Sequence, residues 1–555
     1  MLVRDLIASQ LRAAVDELVR QGRLPSVDIS SSGLVERPQK AELGDFASSL
    51  PLRITKAAKM PPLDIAHAIA EVISPEPPLG AVSVAAPGFV NFTLSDHWLQ
   101  LQVEAIRGAG RTFGDVDSGS GRSVQVEFVS VNPTGPVHVG HARGAVLGSA
   151  LANALSAAGF AVTREYYVND AGTQMDLFYR SVYARYCQAL GRADVEVPPD
   201  GYLGEYLVEL GKELAERHGD RFLRIDSAQA TADLGEQGLN HMLELIRSDL
   251  YRIGVEFDVW FRERDLYADS RYADTLALLR DRGHTSERDG AEWFMSTALG
   301  EEKDNVLIRS TGAPTYFASD IAYHRDKFGR RAFDRVIDIW GADHQGHVPR
   351  MKAVMQALDL DPQRLTILIA QLVTLKSGGD IVRASKRTGQ VITLADLVTE
   401  VGPDACRFFF LARAPESQME FDLELAKRES SDNPVYYVQY AHARIAGILR
   451  QATEASITWQ DGDVSLLMHQ AELGLIRKMI KLPELIDTIA VTLAPHSLPH
   501  YAVELATAFH WFYDHCRVLS DDPASKPLMK ARLKLIEAAQ TALARTLRLM
   551  GMSAP

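Results

Sequence analysis

Cysteine is scarce in this chain of 555 residues, with three thiols, Cys187, Cys406 and Cys516. They stand far apart and form no Cys-x-x-Cys pair. That excludes a disulfide framework and a cysteine-based zinc site, and a cytoplasmic location is expected. No apolar run is long enough to span a bilayer, and Met1-Leu2-Val3-Arg4-Asp5 carries no signal-peptide pattern, so no membrane association is expected. An excess of positive charge is missing too: 59 Lys and Arg stand against 72 Asp and Glu, a net charge of −13. This argues against indiscriminate nucleic-acid binding but leaves room for a local basic surface that meets RNA phosphates. The glycine-rich run Gly114-Asp115-Val116-Asp117-Ser118-Gly119-Ser120-Gly121-Arg122 precedes a strand instead of following one, so it reads as a connector and not as a dinucleotide loop.

What is present is concentrated in Asn132-Pro133-Thr134-Gly135-Pro136-Val137-His138-Val139-Gly140-His141. An apolar β-type run at 124–129 leads into it, and a helical run opening at Ala142-Arg143-Gly144 follows. Two histidines three apart at a helix start share one face, beside unpaired N–H groups and the positive end of the helix dipole. Such a place suits a polyphosphate, and Gly140 would let a flat base lie against the backbone. Alone, a His-x-x-His pair could equally be half of a metal site. Far downstream, Arg383-Ala384-Ser385-Lys386-Arg387-Thr388-Gly389 follows a strand expected at 365–373 and precedes a helix start at Thr393-Leu394. A lysine among other cations on a loop can meet the charge that builds on a departing pyrophosphate.

His138-Val139-Gly140-His141 and Arg383-Ala384-Ser385-Lys386-Arg387 resemble the two signatures of class I aminoacyl-tRNA synthetases. Within that class, further segments resemble the arginyl-tRNA synthetases of bacterial type. They include Tyr166-Tyr167-Val168-Asn169-Asp170-Ala171-Gly172, Tyr316-Phe317-Ala318-Ser319-Asp320 and Asp338-Ile339-Trp340-Gly341-Ala342-Asp343-His344. Asn433-Pro434-Val435-Tyr436-Tyr437-Val438-Gln439-Tyr440 and Arg37-Pro38-Gln39-Lys40-Ala41-Glu42-Leu43-Gly44-Asp45-Phe46 extend the match to both ends. The second signature departs from the class pattern at Arg383, Ala384 and Arg387, and an arginine fork is a different donor from an ammonium.

A multidomain α/β fold is expected, in three units. Residues 1–113 form a small α/β domain, opened by a helix with Leu6, Ile7, Leu11, Ala14, Val15 and Leu18 on one face. Residues 122–421 form a Rossmann-type catalytic domain, because strands and helices alternate, with an insertion at about 187–299. Residues 433–555 form a helical bundle. The resemblance implies that the first unit meets the outer corner of the tRNA through residues such as Arg37 and Lys40. It implies that the last grips the anticodon arm, where Tyr436 and Tyr440 could stack on bases. Packing between the bundle and the catalytic domain is the better reading for Tyr437.

The resemblance also implies the reaction: L-arginine is activated by ATP, with Mg2+ carried on the phosphates, and passed from the adenylate to tRNA(Arg). His138, His141 and Lys386 would be catalytic, and Gly140, Gly341, Asp343, Ser385 and Arg383 would hold ATP. Glu127, Asn132, Tyr316, Asp320, His344 and Gln345 would hold arginine, whose guanidinium calls for facing carboxylates. No resident metal site is expected, and a monomer is. The family further implies that activation needs tRNA. Two other readings compete: a class I synthetase of another specificity, and a non-catalytic tRNA-binding paralogue.

Overall fold

The computed structural model describes residues 2–29, 33–38, 40–382 and 392–555. Helix Val3–Arg20 opens the chain and buries Ile7, Leu11, Ala14, Val15 and Leu18, the stripe expected from the 3.6-residue period. The extended stretch that follows later folds back on itself at Pro87-Gly88. Strands Leu79–Ala85 and Phe89–Leu94 pair antiparallel, and the short strand Phe46–Ser48 completes the sheet.

A five-stranded parallel sheet forms the middle of the molecule, in the order Leu365–Ala370, Arg335–Gly341, Ser123–Glu127, Ala161–Val168, Val259–Arg262. Ser123–Glu127 is central, and its Val124, Gln125 and Val126 are fully buried, as a parallel strand covered on both faces requires. The chain enters at the middle of the sheet and later returns on the other side of the first strand. This leaves a crevice beyond the carboxyl ends of the strands, where ligands of such sheets bind.

Two expectations change here. The strand expected at 365–373 stops at Ala370, and Gln371 and Leu372 turn out of the sheet. The chain then resumes as Val373–Ser377 in a separate small sheet beside Met419–Asp422. The apolar run could not reveal this break, because both halves are β-rich. Part of the stretch expected as an insertion belongs to the main sheet, since Val259–Arg262 is its fifth strand. The remainder builds helices Glu205–His218 and Ser227–Arg252 and the strands Thr285–Arg288 and Ala291–Phe294, which form a small antiparallel sheet with Asn305–Ile308 just beyond the stretch.

After Asn433 the chain is helical: Pro434–Glu454, Gln470–Met479, Leu482–Thr492, Ser497–His515 and Lys526–Leu549. Leu535, Ile536, Ala539, Leu543 and Leu547 are all fully buried, as their spacing demands. This bundle is tied to the N-terminal unit by the pairs Arg107–Glu537 (2.8 Å), Arg477–Asp45 (2.9 Å) and Arg37–Glu484 (2.9 Å).

Helix Val139–Ala157, which starts at the first signature, runs through the centre of all this. It is apolar all round and rich in Ala, so sheet strands and bundle helices alike approach it closely. Gly148 sits against the Phe128 ring, and a Cβ there would lie 2.2 Å from the ring. Gly148→Ala should therefore destabilise the protein by about 1–3 kcal/mol through overpacking. Thermal unfolding checks this, and Phe128→Leu in the same chain should restore part of the loss.

Candidate active site

The site begins with strain. Directly after the central strand, Val129 and Ser130 both take left-handed backbone angles, φ 70° and 42°, which costs roughly 1–3 kcal/mol per residue. Hydrogen bonds hold the turn. Ser130 Oγ donates to Glu127 Oε1 (2.9 Å) and accepts from Tyr167 N (3.1 Å). Asn169 donates to Ser130 O (3.2 Å), and Tyr166 OH donates to Val131 O (2.7 Å). Tyr166, Tyr167 and Asn169 belong to one of the segments singled out above, so their first task is to hold this turn open.

The helix then starts three residues earlier than the sequence suggested, at Val139, with His138 as its cap. Capping is the reason: His138 Nδ1 accepts from Gly140 N at 3.1 Å. In the neutral ring the proton therefore lies on Nε2, free to donate. A Cβ on Gly140 would lie 2.9 Å from His138 Cε1, so this glycine also makes room for the capping ring. The His138 and His141 rings are 3.6 Å apart. Burial, then the neighbouring His138, pushes His141 down to about 3, and burial lowers His138 as well. Both imidazoles are neutral donors at physiological pH. His141 Nδ1 is buried with no protein partner, which leaves it for a ligand.

Lys386, Ser385 and Arg383 lie outside the described residues. The flank that follows them is fixed: Val139 N donates to Ile392 O (3.2 Å), and Leu394 N donates to Val137 O (2.8 Å). Thr393 and Asp396 form the capping box of the next helix, Leu394–Val401. The first signature thus meets the flank that follows the second across a β-bridge between His138 and Thr393.

On the other side of the crevice the sheet presents carboxylates. Asp338, Glu127 and Glu165 stand opposite one another on three adjacent strands, and all are buried. Lys327 donates to Glu127 Oε2 (2.6 Å) and Asp338 Oδ1 (2.8 Å), His324 Nε2 lies 2.9 Å from Asp338 Oδ2, and Arg331 pairs with Glu165. Glu127 is thus already engaged, by Lys327 on one oxygen and Ser130 on the other.

The open carboxylates are Asp320 and Glu263. Helix Tyr316–Arg325 puts Tyr316 and Asp320 one turn apart. Glu263 follows the fifth strand, is 2% exposed, and its Oε2 has no partner. The sequence reading missed it, for an acid in Arg262-Glu263-Arg264-Asp265 looks like part of a solvated charge run. Burial, then the charges of Glu263 and Glu127, pushes Asp320 up to about 8. Burial, with Asp170 adding to it, pushes Glu263 up to about 7. Tyr167 and Tyr267 border the same carboxylates. Such a group of acids with too few cations is a receptor for a cation.

The remaining candidates surround this crevice. Asn132 is exposed and donates to Gln174 (2.6 Å). Gly341, Asp343, His344 and Gln345 lie at the end of the neighbouring strand, exposed, with Asp343 close enough to His141 to act on its charge. Tyr436 and Tyr440 are far along the chain, on the bundle, exposed and stacked with ring centres 5.8 Å apart. Tyr437 packs against His510 (4.7 Å). Arg37 lies over the Phe46 ring (4.2 Å) while paired to Glu484, whereas Lys40 is exposed.

Comparison with known proteins bears directly on this arrangement. Residues 4–94 match the family described as arginyl tRNA synthetase N terminal domain, residues 102–409 match tRNA synthetases class I (R), catalytic domain, and residues 438–555 match the DALR anticodon binding domain. An arginine–tRNA ligase of Dehalococcoides mccartyi (strain CBDB1) is 53% identical over 555 residues, 100% of this chain and 99% of the relative. The chain belongs to the arginyl-tRNA synthetase family. Another arginine–tRNA ligase, from Heliobacterium modesticaldum, is 49% identical over 94% of this chain and 93% of its own length. The Thermus thermophilus arginyl-tRNA synthetase structure superposes with a TM-score of 0.77 at 22% identity, covering 100% of both chains, and so shares the fold. As a member of this family the chain is an ATP-using ligase of arginine and tRNA. No helix among the described residues is long and apolar enough to cross a membrane.

The raised acids of this synthetase predict a pH dependence. A guanidinium needs Asp320 and Glu263 ionised, so the arginine KM should fall as pH rises from about 6 to 8.5, and Asp320→Asn should flatten the profile. Stability has the opposite sign. Raised carboxylates bind more protons when folded, so their contribution is full below the unfolded values near 4 and is lost as pH rises to about 8. Thermal unfolding without arginine across that range checks it.

Proposed function

We propose that this enzyme joins the L-arginine carboxylate to the α-phosphate of ATP, releasing pyrophosphate, and passes the arginyl group to the terminal ribose hydroxyl of tRNA(Arg). The observation that carries the residue assignment is the pair of under-compensated carboxylates, half-buried Asp320 and buried Glu263, across the crevice from the neutral histidine pair. Tyr316 borders the same recess, and Asn132 is assigned to the α-amino end of the substrate. Glu127 acts toward the guanidinium through its charge, since Lys327 and Ser130 already hold its oxygens. Gly341, Asp343, His344 and Gln345 line the wall shared by ATP and arginine.

Little proton transfer is needed in the first step, so catalysis rests on position and charge. His138 and His141 donate to phosphate oxygens as neutral rings, so their donor role does not titrate near neutral pH. Lys386 follows the leaving pyrophosphate, with Ser385 and Arg383 beside it. Mg2+ enters on the phosphate oxygens of ATP. Lys40 meets tRNA phosphate at the N-terminal unit, and Arg37 orients that surface through its hold on Glu484. The exposed Tyr436–Tyr440 stack offers a platform for anticodon bases. The enzyme acts as a cytoplasmic monomer.

Arginine-dependent ATP–pyrophosphate exchange, with and without total tRNA and with lysine and cysteine as controls, tests the reading. Exchange with arginine alone among the three supports it, and dependence on tRNA supports the expected requirement. No exchange with any of them, alongside retained tRNA binding, would favour a non-catalytic paralogue. In the same assay Asp320→Asn should raise the arginine KM at least tenfold and leave the ATP KM within about twofold, as loss of a charged hydrogen bond predicts. Lys386→Ala should lower kcat with tRNA binding retained. Activation at the wild-type rate would remove Lys386 from the mechanism.

A further inference from the structure

Two residues beyond the histidine pair, on the same helix, Arg143 is 1% exposed and meets no carboxylate within ion-pair distance. Its two terminal nitrogens are satisfied by main-chain carbonyls, while the buried Nε has no partner. Nη1 donates to Gln371 O (3.0 Å) and Ser417 O (2.7 Å), and Nη2 donates to Ala414 O (2.7 Å) and Arg413 O (3.5 Å). These acceptors come from two segments distant in sequence. Gln371 is where the chain leaves the main sheet, and 413–417 is the loop before strand Met419–Asp422. The same two segments are joined by Gln371 N to Pro415 O (2.9 Å) and by the parallel pairing of Val373–Ser377 with Met419–Asp422.

Val373–Ser377 is the strand that leads into residues 383–391, and Ile392–Leu394 on the far side is bonded to Val137–Val139. Both flanks of the second signature are therefore fixed to the first, one by a β-bridge and the other through a single side chain. Burying a guanidinium without a counter-ion is costly, and burial lowers its pKa. A planar five-donor fork is what can serve carbonyls of two segments at once, and an ammonium cannot match that geometry.

We propose that Arg143 is a positioning residue for adenylate formation: it fixes the signature helix against the strand that carries the Lys386 segment. It touches no substrate; it holds the helix of the histidine pair at a fixed distance from strand Val373–Ser377, which precedes Lys386 in the chain. The proposal rests on the assignment of Lys386 made above.

The test is a double-mutant cycle in the full-length enzyme, read by arginine-dependent pyrophosphate exchange with tRNA present. Arg143→Lys keeps the charge and can reach some of the carbonyls, so it is the variant expected to fold; Arg143→Gln is the harsher one. Arg143→Lys should lower kcat about fivefold or more and Arg143→Gln further, with the arginine KM and the tRNA Kd within about twofold of wild type. In a Lys386→Ala background the Arg143→Lys loss should largely vanish, because the residue acts through that lysine. The proposal is overturned if Arg143→Lys retains wild-type kcat while its thermal midpoint falls, which would make Arg143 a structural tie only. It is also overturned if the losses in the two backgrounds multiply independently, or if arginine KM and tRNA Kd move together with kcat. Failure of the Lys386 assignment shows separately, as a Lys386→Ala enzyme that activates arginine at the normal rate.

Discussion

Three carboxylates placed side by side inside a parallel sheet are the constraint on which the rest of the site depends. Asp338, Glu127 and Glu165 face one another on adjacent strands, in surroundings where an unpaired charge is very costly. They are tolerable only because Lys327, His324 and Arg331 come down onto them. Those three groups belong to helix Tyr316–Arg325 and the turn after it, so satisfying the sheet's carboxylates also fixes where that helix lies. Tyr323 adds to the tie by donating to Glu165. Once the helix is placed, Asp320 is placed, and the proposed arginine site gains a carboxylate with which no cation among the described residues pairs. Electrostatic satisfaction below the site and electrostatic hunger within it are two results of one docking.

The second support is the signature helix. Its small side chains let the sheet and the bundle pack on it from opposite sides, and two buried guanidiniums fasten it. Arg143 joins it to the strand exit at Gln371, and Arg407 reaches from a neighbouring helix to Ser149 on it, to Ile253 O (2.5 Å) and to the carbonyl of Met550. Asn153 adds a bond to Leu549 O (3.1 Å). The helix that presents the histidine pair is therefore in contact with the far end of the tRNA-binding bundle.

Much of this was legible in the residues. Period 3.6 gave the first helix and the bundle face. Strand–turn–helix context identified the histidine turn, and Tyr316 with Asp320 did fall on one helix. What stayed hidden had physical reasons. Glu263 reads as surface charge because burial is not written in a charge run. The break at Gln371 lies between two β-rich halves, and it shows only in the bonds that Gln371 makes to Pro415 and Arg143. The early start of the signature helix follows from His138 capping its own turn, an unusual use of an imidazole in place of Ser, Thr, Asp or Asn.

The sequence by itself determined the family and with it the reaction, because signature residues in fixed spacing and strand context identify both. It also determined the layers, because hydrophobic period distinguishes strand from helix and each must bury its apolar face. Tertiary structure alone decided which charges are compensated and which are left open. Glu127 is held by Lys327, 200 residues away, while among the described residues no cation pairs with Asp320 or Glu263; an acid's state depends on distance and burial, and neither is carried by the identity of its neighbours in the chain.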